Sequence, residues 1–241
     1  MIDFQTVIPK FDAILARGLS KGIGQWDGQM CVEAALCAAL GLPHGDDPAC
    51  VTASVRVFTI RLNDSPRWSS SASRAKHLRA LGIAQLGSKG MVTSQTFAIW
   101  LAQAVIQHVL PRVCREVYPG QYKEQIAMCE QTGTEMAARG LVEAFDVQQV
   151  DTLMRKVVTR AVETTLWATT TEASKAREIA AADTAAVKAA EVITLATEAA
   201  VTLAKHPDPE AYLKLGATLA LNILRDFKSP GTAWISEGNH P

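Results

Sequence analysis

Apolar residues recur at intervals of three and four along nearly the whole chain, the spacing that lines one face of an α-helix. Phe4, Val7, Ile8, Phe11, Ile14 and Leu15 trace such a face over 3–18, with Pro9 bending its first half. Asp27 is the expected cap of a helix over 28–40 that stops at Gly41 and Pro43. The β-branched stretch "VTASVRVFTIRL" at 51–62 has strand propensity. Asp47 followed by Pro48 is a helix opening, however, and Val51, Val55, Phe58 and Leu62 keep the helical interval. A helix is therefore predicted over 48–63, ending in the turn residues "NDSP".

"SSSASRAKHLRALGIAQLG" opens with serine caps and closes at Gly87. Helices follow over 95–118, kinked at Pro111, and over 120–138, bounded by "YPG" and Gly140. The chain then turns rich in Ala, Thr and Glu, with a break at 168–176 capped by Thr170 or Thr171. A last helix spans 209–227 behind Pro207 and Pro209. The expected fold is all-α, a multi-helix bundle. A short-helix, cysteine-bearing region over 1–118 precedes longer Ala-rich helices over 119–228, packed as a hairpin or bundle, and an irregular tail follows over 229–241. The line Val187, Val192, Leu195, Ala199 and Leu203 approximates a helix–helix seam, with Glu172–Lys175 and Lys188–Glu191 as surface pairs.

Composition narrows the function classes. A 48% hydrophobic share supplies ample core, and 24 basic residues balance 24 acidic ones, which removes the simplest electrostatic case for a nucleic-acid partner. The first residues lack a basic and apolar leader pattern. The most apolar stretch, "FAIWLAQAVIQHVLPRV" at 97–113, is interrupted by Gln103, Gln107 and His108 and is too short to span a bilayer, so no membrane role is expected. Five cysteines, an odd number, fit reduced thiols in the cytoplasm.

Three of those cysteines fall in "QWDGQMCVEAALCAALGLPHGDDPACV" at 25–51. Cys31, His44, Asp46, Cys50 and Asp64 are the residue types a metal site would draw on, and Cys37 adds a further sulfur. The cysteines and His44 stand five, six and five residues apart, wider than zinc knuckles, and Cys31 and Cys37 point about 240° apart on one helix. No metal or other cofactor is expected. A nucleophile is the second reading: Cys31 in a first helical turn, with His44 as base, Asp46 to orient it and Glu33 close by. The third is a cation held by carboxylates including Asp27, Glu33 and Asp64. The packing reading explains most of the stretch without chemistry: the cysteines are small buried hydrophobes, Asp27 and Asp47 are caps, His44 is a loop residue and Glu33 faces solvent.

"GQWDGQMCVEA", then "DDPACV", then "LND" resembles a signature met in uncharacterised bacterial and phage-encoded proteins. The matching residues are Gly28, Met30, Cys31, Glu33, Ala34, Asp46, Pro48, Cys50, Val51, Leu62, Asn63 and Asp64, covering about the first third of the chain. The resemblance implies a bacterial or phage origin and carries no mechanism.

Arg56, Arg61, Arg67, Arg74 and Arg79 crowd into 48–86 and raise a helix–turn–helix reading, against which stand the acids at 46–64. The nucleotide-binding and hydrolase motifs G-x-G-x-x-G, Walker A, H-E-x-x-H and G-x-S-x-G are missing. The expectation is a non-enzymatic interaction or scaffold protein that binds a protein partner or associates with itself through its C-terminal helices. Such a chain suits an accessory, immunity or counter-defence factor. The alternatives are the enzyme or metal module around Cys31, Glu33, His44, Asp46 and Cys50, and DNA binding through 48–86.

Overall fold

A computed structural model describes residues 2–148, 150–172 and 174–235. Among them the chain is all-α, and it divides into two compact units: Met1–Ser94 with Ala217–Pro241, and Gln95–Gly216. The boundary at 118–119 suggested by composition lies inside the second unit, because the apolar stretch after Ser94 packs with the helices that follow it.

In the first unit α1 (Phe4–Leu15), α2 (Val32–Ala39), α3 (Ala53–Asn63) and α4 (Ser71–Ala84) pack on one another. Asp3 caps α1 and Ser70 caps α4, each accepting a bond from the amide three residues on. Two helix starts differ from the sequence reading. α2 opens at Val32, capped by Cys31 rather than Asp27, because 17–31 is laid down as a loop. α3 opens at Ala53: Thr52 is tied to the following loop, its amide to Ser88 Oγ at 3.0 Å and its hydroxyl to the Val92 carbonyl at 3.0 Å. Pro48 therefore heads a turn closed by Val51 N–H.

α1 and α4 approach closely at Gly82, where any Cβ would fall 2.7 Å from Phe11 Cζ. The segment read as an irregular tail is a docked 3₁₀ turn, Pro230–Trp234. Ser229 Oγ donates to the Ala84 carbonyl at 2.6 Å, Gly231 N–H donates to that of Leu86, and Trp234 stacks on Phe4. The remainder of the tail, 236–241, lies outside the described residues.

The second unit runs from α5 (Ser94–Ala104) through a π-helical turn, Val105–Val109, into α6 (Leu110–Val117). Pro111 has no N–H to give the carbonyl four residues back, and the chain answers with a widened turn rather than a simple bend. The predicted 120–138 helix is two, α7 (Lys123–Thr132) and α8 (Glu135–Val147). They part at Gly133, whose φ of 61° forms the left-handed C-cap, while Gly140 sits inside α8.

α9 (Thr152–Ala168) and α10 (Lys175–Thr202) form the long hairpin, with Ser174 capping α10 in place of Thr170 or Thr171. Its buried line is mostly alanine, with the adjacent pairs Ala181–Ala182, Ala185–Ala186 and Ala189–Ala190; of the expected line, Val192 and Ala199 are buried in it, Val187 and Leu195 are half-buried, and Leu203 is exposed. Small side chains let helix axes approach closely, so alanine forms the seam. α11 (Ala211–Asp226) follows Pro207 and Pro209. Ser94–Val117 is long and apolar enough to cross a membrane, but most of its apolar window is buried within the protein, as in a core helix.

Candidate functional site

The resemblance residues meet in the first unit, where they fasten a loop. Asn63, the last residue of α3, is fully buried. Its amide nitrogen donates to the Ser20 carbonyl at 2.8 Å and to Asp64 Oδ1 at 2.9 Å, and its Oδ1 lies 3.4 Å from the Val32 amide. Asp64 Oδ1 accepts from Gly22 N–H at 2.8 Å. Gly22 and Gly24 have φ of 68° and 72°, a turn that favours glycine. Together, "LND" and the glycine-punctuated loop fix where α2 begins. That is a structural role for Asp64, whose one described role is holding this loop.

Cys31 Sγ caps α2, 3.4 Å from the Ala34 amide. The helix N-terminus does not activate it: burial pushes its thiol up to about 12, and neighbouring Glu33 adds to the rise. Burial pushes Cys37 up to about 11, with Glu33, Asp46 and Cys50 acting in the same direction. Both are poor nucleophiles. Cys50, half-buried, is the most accessible of the three. In the second unit burial likewise raises Cys114 and Cys129, with Cys129 adding to the rise of Cys114 and Glu130 to that of Cys129.

Glu33 does not face solvent: it is fully buried. Gln85, the C-cap of α4, donates from Nε2 to Glu33 Oε1 at 2.8 Å, while Oε2 has no partner. Burial pushes the carboxyl up to about 8, Gln85 and Arg56 pull it down, and Asp46 pushes it up. Sequence reasoning missed Gln85 and Thr59, and it named Asn63 only within the resemblance and as a turn residue; no periodicity marks the burial of these polar side chains. The cysteines, Glu33 and Asp46 thus interact electrostatically. His44 stands apart, edge-on to the exposed Trp26 and 3.3 Å from the Gly24 carbonyl. Among the described residues no group of three or more His, Cys, Asp or Glu side chains is placed to hold a metal ion.

Of the arginines offered for DNA, Arg56 pairs with Asp47, Arg74 donates to the Leu19 carbonyl at 2.6 Å, and Arg79 grips Asp12 through two bonds of 2.6 and 2.8 Å. Arg61 is exposed and Arg67 half-buried.

The second unit presents a different surface. Ala98 and Ala102 of α5, Ala168 of α9, and Ala182 and Ala185 of α10 form one buried cluster. The same three segments expose Ile99, Trp100, Leu166, Trp167 and Ile179, the two tryptophans at 45% and 42%. Single exposed apolar residues are ordinary; five on converging helix segments are not. No protein-family model matches this chain, and no curated protein and no solved structure matches it either.

Proposed function

We propose that this chain is a non-enzymatic helical interaction protein that associates with a second copy of itself through the outward face of α5, the end of α9 and the start of α10. The observation that carries the reading is the exposed set Ile99, Trp100, Leu166, Trp167 and Ile179 around the alanine cluster. Alanine lets helices lie close but gives each little area to bury, at about 25 cal/mol per Å², so apolar side chains left outside such a seam are best covered by another surface. Tryptophan is the residue type most enriched where interfaces gain their affinity. The raised thiols and the loop-fastening role of Asn63 and Asp64 speak for architecture over catalysis in the cysteine segment. Cytoplasmic action and a bacterial or phage setting, as an accessory, immunity or counter-defence factor, rest on the five unpaired cysteines and on the resemblance.

Sedimentation equilibrium over a concentration series tests the association. The wild-type chain is expected to form dimers, and Trp167→Asp to weaken them at least about tenfold without loss of helical circular dichroism. A wild-type chain that stays monomeric throughout the series removes the proposal.

A further inference from the structure

One buried cluster joins three helices of the first unit: Glu33 in the first turn of α2, Thr59 within α3 and Gln85 at the end of α4. Thr59 Oγ lies 2.9 Å from the Val55 carbonyl and 3.4 Å from Gln85 Oε1. A hydroxyl has one proton, and the nearer Val55 carbonyl receives it. With the Gln85 nitrogen towards Glu33, the amide oxygen then faces Thr59 with no proton between them. Turning the amide by half a rotation exchanges its oxygen and nitrogen at the same positions. Gln85 then donates to Thr59 Oγ, and its oxygen, 2.8 Å from Glu33 Oε1, needs a proton that the carboxyl alone can bring. In that arrangement every contact among the three residues has one donor and one acceptor. The unpartnered Oε2 becomes the carbonyl of a neutral acid, far less costly to bury than half of an anion.

We propose that Glu33 is a neutral carboxylic acid donating to Gln85, and that its ionisation is a pH-set latch that loosens α2 from α3 and α4. The charges facing it oppose one another, and burial decides between them. Arg56 of α3 favours the anion but is itself paired with Asp47, and Asp46 in the loop before α3 opposes the anion. Cys31 and Cys37, flanking it at the start and within α2, are held as neutral thiols. The contact from α4 is the uncharged Gln85, and among the described residues no charge of α1 acts on it. Burial accordingly lifts the carboxyl from 4.5 to about 8.

Glu33→Gln provides the test, since its amide still donates to the Gln85 oxygen and cannot ionise. A folded value above the unfolded one gives stability that is complete below pH 4.5 and lost as pH rises towards about 8. In urea unfolding between pH 5 and 9, the wild-type unfolding constant should rise relative to Glu33→Gln by about tenfold per pH unit up to about pH 8, then level off. Parallel profiles overturn the latch. Infrared spectra at pH 7 supply a second reading: the carbonyl stretch of a protonated carboxyl is expected in the wild type. Its absence from the folded wild-type protein overturns the proposal even where the variant does not fold.

Discussion

The two units solve the same packing problem with opposite materials. The first has short helices and long connections, and at its centre stand polar side chains whose bonds are specified atom by atom: Asn63, Gln85, Glu33, Ser229. The second has long helices seamed by alanine, and several of its ion pairs join partly exposed side chains, as in Arg160 with Glu163 and Glu191. A buried polar group loses its full desolvation free energy when a partner is removed, whereas a surface pair exchanges its partner for water. The first unit should therefore be brittle to polar substitutions and the second tolerant of them, while the second leaves apolar surface outside.

The largest expected effect is at Asn63. Asn63→Ala strips the Ser20 carbonyl and the Val32 amide of a buried partner and opens a void beneath the glycine loop. A loss of about 2–4 kcal/mol in urea unfolding is expected. A loss below about 1 kcal/mol would mean that the loop is fastened by its backbone bonds alone, and the contrast between the units would weaken.

Glycine substitutions sharpen the comparison at smaller amplitude. A Cβ on Gly231 would overlap the Ile83 carbonyl, a backbone atom that cannot move away without undocking the 3₁₀ turn. A Cβ on Gly216 in α11 would lie 2.6 Å from Ile193 Cδ1, the mobile end of a side chain. Gly231→Ala should cost about 2 kcal/mol, whereas Gly216→Ala should come out near zero, since alanine also gains up to about 1 kcal/mol of helix propensity. Thermal unfolding of both variants checks the order, and a Gly216→Ala loss equal to that of Gly231→Ala would contradict it.

What the sequence revealed follows the same divide. Period and capping signals are local, so the all-α class, the proline breaks and most helices were legible from Phe4 to Asp226. Cap choice was not. Asp27 and Asp47 look like better caps than Cys31 and Thr52, but the helix starts were decided by where loops are tied, through Asn63 at one and Ser88 at the other, residues about 30 to 40 positions away. Glu33 was misread for a related reason, because its single bond is shared with Gln85, 52 residues on. The packing of Ala-rich helices as a hairpin was legible from composition, and the line of larger apolar residues found only part of the seam, Val192 and Ala199. The burial of Cys31 and Cys37 was legible from their apolar helix, and the depth of Glu33 beside them was not.

The smallest predicted effect tests the tolerant side. Glu163 sits between Lys188 at 2.8 Å and Arg160 at 2.6 Å, and the hydrogen bond from Lys188 leads the interactions that hold its carboxyl below the usual range. A lowered folded value contributes stability that is present above the unfolded value of 4.5 and lost as pH falls through the folded one. Glu163 is more than a third exposed, so solvent screens the pair and Glu163→Gln should cost no more than about 0.5–1 kcal/mol at neutral pH, with the difference shrinking below pH 4 and in high salt. The Glu33 and Glu163 variants should therefore diverge in opposite directions with pH: Glu33→Gln gains on the wild type as pH rises, and Glu163→Gln gains on it as pH falls. Matching slopes for the two would show that the carboxyls share one environment, and the distinction between a buried polar interior and a solvated ion-pair surface would fail at its most directly measurable point.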